Sequence, residues 1–271
     1  MPKRIVNWKS LIKKYKIDFF LIDSYNISVY LLNKLNNLVP VCFIADKKPY
    51  PNNNIVIVPH PINDRKNNVY FGLKYAIVSS KFLINQEDKI IENKKNNKIN
   101  ILISFGAFDT ANISGRLILE IILQKELYEK NYKFTVVLGK NAPNIQSIKS
   151  QIINYRFIKC KIQPKNFKEI ILNADFAIGA PGISQIERMY LGLPSILISQ
   201  NKIQEPLIGY LKKNKLCLDI NNDIKSVVKN MINCNKDELD FIKKNCLKYI
   251  DGKGSKRIVD IIEKHMVKNA N

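Results

Sequence analysis

An α/β protein with two successive parallel sheets is what this sequence predicts, and three features predict it. Short apolar runs alternate with stretches of helical apolar spacing in two successive series. A charged, weakly apolar segment, NQEDKIIENKKNNK over residues 85–98, separates the two series. Strand ends in the second series run into glycine-bearing loops that open helices. With 271 residues, the chain can bury roughly 70–75% of its unfolded surface, which favours folded domains over disorder.

In the first series, residues 7–16 read as a helix and residues 19–22 as an apolar strand ending at Asp23-Ser24-Tyr25. Residues 28–36 place Val29, Leu32 and Leu35 at helical spacing, 41–45 form a second strand ending at Asp46, and 55–58 form a third. The second series opens with a strand at 101–104, a helix over 113–130 and a strand at 134–138. A helix at 144–153, a strand at 155–159, a short helix at 167–173 and a strand at 176–178 follow. A helix at 183–191, a strand at 195–198, a helix at 206–213, a strand at 217–220 and three terminal helices complete it. The expected domains are therefore residues 1–90 and 99–271, and such doubly wound sheets bind ligands at the carboxyl ends of their strands.

Composition narrows the function classes. The formal charge is +21, from 44 Lys and Arg against 23 Asp and Glu, but Lys, Asn and Ile are abundant along the whole chain. No Arg-rich arm or basic stretch interleaved with aromatics appears, so anionic small ligands are expected and specific nucleic-acid binding is not. The five cysteines, Cys42, Cys160, Cys217, Cys234 and Cys246, show no metal-ligand spacing, so no metal and no cofactor are expected. No apolar run nears the roughly 18 residues of a membrane helix and no secretory leader opens the chain, which reads as a soluble cytoplasmic protein with no transmembrane segment.

Chemistry concentrates in ADFAIGAPGISQIERMYLGLPSILIS, residues 174–199. Its strand runs through Gly179, Pro181 and Gly182 into a helix with Ser184 in the first turn. Glycines let backbone approach a ligand, and the free N–H groups of a helix start attract phosphate. Ser184 could donate to a diphosphate oxygen, and Glu187 could accept from ribose hydroxyls. Equally, Ser184 and Glu187 read as a capping box. The loop ISFGAFDTANIS, after the first strand of the second series, offers a second cradle at Gly106, with Asp109 or Thr110 able to cap the next helix.

Five segments, FFLIDSYNIS, VYFGLKYAIVSSKFL, ILISFGAFDTAN, ADFAIGAPGISQIERMYLGLPSILI and DGKGSKRIVDII, give the chain its resemblance to a known family. It resembles the hydrolases of UDP-2,4-diacetamido-2,4,6-trideoxy-altropyranose in pseudaminic acid biosynthesis, with their spore-coat polysaccharide relatives. More distantly it resembles the glycosyltransferases that add N-acetylglucosamine to peptidoglycan precursors. The resemblance implies a GT-B fold with UDP or a UDP-sugar on the second domain, held by Gly106, Asp109, Gly182, Ser184, Glu187 and Gln204. It implies that Tyr25 contacts the sugar.

Members of that family open with a glycine-rich loop carrying Gly-His-x-x-Arg, whose histidine is the proposed general base. No such motif occurs in this chain, which begins at about the third βα unit of the first domain. The resemblance thus implies a first domain lacking its N-terminal βα units, an impaired hydrolase, and room for a separate chain that supplies the missing half-domain. A glycosyltransferase and a non-catalytic nucleotide-sugar-binding protein are the alternatives. Catalytic residues are not identified; His60, just past a strand end in IVIVPHPIND, is a candidate base that also reads as a surface or packing residue, and His265 sits beside Lys264 on the last helix. Asp23 and Asp46 read either as a carboxylate pair or as loop caps.

Overall fold

The computed structural model describes residues 7–24, 26–45, 50–51, 54–60, 68–84, 98–221 and 223–270, so Tyr25 and Asp46 lie outside the described residues. By contact the chain forms two compact units: Met1–Ile77 together with Gly252–Asn271, and Val78–Asp251.

The first unit starts with α1 (Trp8–Tyr15), whose first turn is capped by Asn7 accepting from the Ser10 amide at 3.2 Å. Strand β1 (Phe20–Asp23) leads to α2 (Val29–Asn36), which Ser28 caps through the Leu31 amide. Then come β2 (Val41–Ile44), β3 (Ile55–Val58) and β4 (Val69–Phe71), and the sheet is parallel in the order β1-β2-β3-β4. Successive residues of a strand point to opposite faces. Val56 and Val58 accordingly pack with Leu32, Leu35 and Phe43, while Ile55 and Ile57 pack with Cys42, Tyr75 and Ile258 on the other face.

Ile258 belongs to the last helix, Gly254–Ala270, so the chain's end covers the first sheet. This differs from the expected grouping of residues 252–271 with the second series; of the expected boundary segment 85–98, residues 85–97 lie outside the described residues. Helical periodicity marks an apolar face without saying which sheet it covers, and here Ile258, Ile261 and Ile262 fit the first. The helix start is pinned there as well: Arg257 donates to the Lys74 carbonyl at 3.0 Å, and a Cβ on Gly254 would collide with the Ala76 carbonyl oxygen.

The second unit contains β5 (Ile99–Ser104), α3 (Ile113–Leu123), α4 (Lys125–Tyr128), β6 (Tyr132–Leu138), α5 (Ile145–Ile152) and β7 (Ile158–Ile162). It continues through α6 (Phe167–Leu172), β8 (Phe176–Gly179), α7 (Ile183–Tyr190) and β9 (Ser195–Leu197). Helices α8 (Glu205–Lys213), α9 (Ile224–Asn230) and α10 (Lys236–Tyr249) complete it, which makes the terminal helix of the first unit α11. The sheet is parallel in the order β7-β6-β5-β8-β9. From β5 the chain winds outward to β7 and then returns to the other side of β5 to build β8 and β9. The reversal falls between β5 and β8, and in such sheets the crevice outside the carboxyl ends at that point is where ligands bind.

Three expected elements differ in the second unit. The helix over 113–130 breaks at Gln124 into α3 and α4. Strand β7 lies three residues later than expected: Ile158, Cys160 and Ile162 face inward, while Lys159 and Lys161 face solvent along this edge strand. Exposed lysines on an edge discourage pairing with other chains. Residues 217–220 are not in a strand, although the Leu218 amide donates to the Ser195 carbonyl at 2.9 Å. No helix among the described residues is long and apolar enough to cross a membrane.

The position of α11 is testable. Ile258→Ala should cost about 2–5 kcal/mol of first-unit stability by emptying a packed site. Hydrogen exchange should then speed at 41–44 and 55–58 while 99–104 stays protected. Loss of protection centred on 99–104 would contradict the packing described.

Candidate functional site

Because β5 and β8 are parallel neighbours with Ser104 opposite Gly179, the loops that follow them leave the sheet side by side at the switch point. In the first loop Gly106 has φ +85°, a region that L side chains rarely adopt. Asp109, also at positive φ, is buried, and its Oδ1 and Oδ2 accept from the Ile113 and Ser114 amides, both at 2.9 Å. Both oxygens are thereby committed to the N-terminus of α3, so Asp109 shapes the loop instead of reaching a ligand with its carboxylate. A Cβ on Gly139, after β6, would collide with the Ala107 carbonyl oxygen; the loop rests directly on that backbone.

The second loop is different. Gly182 is the N-cap of α7, with no heavy atom within 4 Å of where a Cβ would stand, and no side chain caps the helix among the described residues. Ser184 sits at the second helical position and Glu187 at the fifth. A capping box needs Ser at the N-cap and Glu at the third position, so that alternative is not realised. Both side chains are half-buried and lie three residues apart, adjacent on the helix surface.

Under this loop lies Arg188, with no exposed surface. Its Nε donates to Gln185 Oε1 (3.0 Å) and Ser195 Oγ (3.1 Å), and its Nη2 donates to Gln185 Oε1 (2.7 Å) and the Ala180 carbonyl (2.9 Å). Gly179 makes room for it: a Cβ there would stand 2.8 Å from Nη1 and collide with the Ser104 carbonyl oxygen. Burial lowers the Arg188 pKa to about 10, with Glu187 opposing the shift, so the guanidinium is cationic at neutral pH. Burial raises the Glu187 pKa from the ordinary 4.5 to about 7, with Arg188 pulling it back.

The third contribution comes after β9. Gln200 Nε2 donates to the Phe105 carbonyl at 3.0 Å, and Gln204 Oε1 accepts from the Gln200 amide at 2.7 Å. Gln204 is thus drawn to the same edge of the sheet, where it holds Gln200. Sequence reasoning missed Gln200, Gln185 and Gly139, and saw Arg188 only as the residue after Glu187. The phase of α7 carried a signal, because Arg188 shares its face with the buried Gln185 and Met189.

The second unit therefore brings together Gly106, Asp109, Gly182, Ser184, Glu187 and Gln204 at one end of one sheet. In the first unit His60 follows β3 and its carbonyl accepts from the Gly72 amide at 3.1 Å, and Asp23 is exposed at the end of β1. A cavity of about 170 Å³, lined by Asn100, Thr135, Lys161 and Glu169 among others, lies against α6 and not at the switch point. Among the described residues no three His, Cys, Asp or Glu side chains are grouped to hold a metal ion.

Comparison with known proteins places this architecture. Acinetobacter baumannii MurG superposes with a TM-score of 0.66 over 94% of this chain and 76% of its own, at 13% identity. The Staphylococcus aureus MnaA–UDP co-structure gives 0.63 over 95% and 77%, at 17% identity, and the UDP-GlcNAc 2-epimerase of Neisseria meningitidis bound to UDP-GlcNAc gives 0.63 over 94% and 79%, at 15%. The fold is of the GT-B type. In sequence, the chain is 28% identical over 219 residues to the uncharacterized protein MJ1062 of Methanocaldococcus jannaschii, covering 74% of this chain and 44% of that protein. It is 26% identical over 132 residues, 49% of this chain, to the spore coat polysaccharide biosynthesis protein SpsG of Bacillus subtilis, of which it spans 38%. It is a distant homologue of SpsG, and it spans less than half the length of either of these relatives. No family model matches the chain.

The raised Glu187 pKa fixes the sign of a pH effect. Between about pH 4.5 and 7 the folded state holds a proton that the unfolded state has released, so this group's contribution to stability falls as pH rises and levels off above 7. Relative to Glu187→Gln, the wild type should lose thermal stability across that window. A difference that is constant between pH 4.5 and 8, or that grows in favour of the wild type, would contradict the assignment.

Proposed function

We propose that the second unit binds the uridine diphosphate of a UDP-sugar at the β5–β8 switch point. The observation that carries the reading is the meeting there of the Gly106 loop with the uncapped first turn of α7. Backbone N–H groups at Gly106 and at the start of α7 face the diphosphate, with Gly182 leaving space for close approach. Ser184 donates to a phosphate oxygen, and Glu187 accepts from the ribose hydroxyls. Asp109 and Gln204 hold the loops that frame the nucleotide, and Tyr25, outside the described residues, is assigned to the sugar. That structural neighbours include proteins with UDP or UDP-GlcNAc bound supports the choice of nucleotide.

The biological setting we assign is sugar-nucleotide processing in the cytoplasm for a nonulosonic (pseudaminic) acid or another surface polysaccharide; homology to a spore coat polysaccharide biosynthesis protein supports the polysaccharide part of that reading. The reaction assigned is hydrolysis: water attacks the sugar nucleotide and UDP leaves. Activation of that water requires a general base, and Gly-His-x-x-Arg occurs nowhere in the 271 residues. We assign these 271 residues, taken by themselves, nucleotide-sugar binding with little turnover, which a segment or chain carrying the histidine loop would restore.

Calorimetric titration tests the site and product release tests the chemistry. UDP should bind, and Glu187→Ala should weaken it about ten- to a hundredfold, because hydrogen bonds to a carboxylate contribute about 1.5–3 kcal/mol. Release of UDP from the diacetamido-trideoxy sugar nucleotide should run at least about a hundredfold below a rate on the order of one per second. Absence of UDP binding would remove the reading. Turnover near one per second would show that another residue, with His60 the first suspect, activates the water.

A further inference from the structure

Among the described residues Arg188 is the largest fully buried side chain. A buried guanidinium is costly unless a carboxylate answers it, and breaking or lacking that partner leaves an uncompensated charge. Yet the groups that hold Arg188 are all neutral: the Gln185 amide oxygen, the Ser195 hydroxyl and the Ala180 carbonyl. Its Nη1 has no hydrogen-bond partner among the described residues and lies beside Gly179, in the floor of the loop that opens α7. Gln185 Nε2 is likewise buried without a partner, so the amide turns only its oxygen to the cation. Glu187 is the carboxylate whose charge is felt at Arg188, but no ion pair joins the two among the described residues.

A brace for the loop does not need this charge, since a neutral donor could tie Ala180 to Ser195. What a cation adds is a positive potential directly beneath an uncapped helix start, in a medium that screens it far less than solvent screens a surface lysine. The helix dipole already favours an anion at that end. Both fields point at the same place.

We propose that Arg188 is a positioning residue for the nucleotide site, a fixed buried charge that draws the diphosphate onto the N-terminus of α7 without touching it. The inference rests on the nucleotide reading given above and deepens it: the ligand class is one whose negative charge sits at the α7 start, and the selectivity generated is for nucleoside diphosphate over nucleoside.

Gln185→Glu isolates the charge in the full-length chain. The new carboxylate takes the place of an oxygen that already accepts from Nε and Nη2, so the guanidinium stays where it is and becomes neutralised as an ion pair. Affinities for UDP and for uridine, the latter by competition, are compared with the melting temperature. We expect the melting temperature to hold or rise while UDP weakens about five- to thirtyfold and uridine stays within about twofold. Arg188→Lys, which keeps a charge but loses the fork of donors, should melt lower yet retain most of the preference for UDP over uridine. It decides the matter should Gln185→Glu fail to fold. An unchanged UDP-to-uridine ratio in folded Gln185→Glu, equal weakening of both ligands, or loss of the preference in Arg188→Lys would overturn the inference while leaving UDP binding by the wild type intact. Failure of the wild type to bind UDP would instead overturn the nucleotide reading, and this inference with it.

Discussion

At Gly179 the backbone of β8 passes so close to the Ser104 carbonyl and the Arg188 guanidinium that only a hydrogen fits where a side chain would stand. Much of the second unit follows from that contact. It sits at the last pair of the β5–β8 ladder, where two loops must separate side by side. The guanidinium it admits ties α7, through Gln185, to Ala180 in the loop and to Ser195 in β9. Gln200 then links the segment after β9 back to Phe105 at the end of β5. Strands, loops and helix at this edge therefore form one hydrogen-bonded network, and a site built on it is held by the sheet and not by loop conformation alone.

The two helices that open at this edge are treated differently. The N-terminus of α3 is satisfied from within the chain, because Asp109 occupies two of its amides with a carboxylate. Among the described residues no side chain caps the N-terminus of α7 in this way, and a buried cation lies under it. An anionic ligand thus has a reason to prefer one helix over the other. The polar groups without a partner among the described residues here, Arg188 Nη1 and Gln185 Nε2, are offset by an apolar interior in which Leu102, Ile103, Val136, Ala177, Ile178 and Ile196 are fully buried.

Some of this was legible in the residues. Strand 55–58 is apolar throughout and bounded by proline and asparagines, and the sequence marks both its ends to the residue. The glycine loops announced the ends of β5 and β8 because a tight turn into a helix restricts residue choice there. What escaped was what local pattern cannot encode. The three-residue β4 is too short for a period, and the phase of β7 was lost because Tyr155 and Phe157 look like strand residues while the Ile-Lys-Cys-Lys-Ile alternation begins later. The partner sheet of α11 depends on chain return over some 200 residues, and an arginine in a helix gives no sign that it is buried until its neighbours in space are known. The sequence allows Asp109 to be a ligand contact or a cap, and its carboxylate caps α3.

The central claim is that the nucleotide sits at the carboxyl end of the β5–β8 pair, and backbone amide NMR during titration with UDP tests it most directly. Shifts concentrated at residues 106–108 and 182–185, with residues 100, 132 and 175 at the opposite end of the sheet nearly still, are the predicted result. Shifts concentrated at that opposite end, or confined to the first unit, would contradict it.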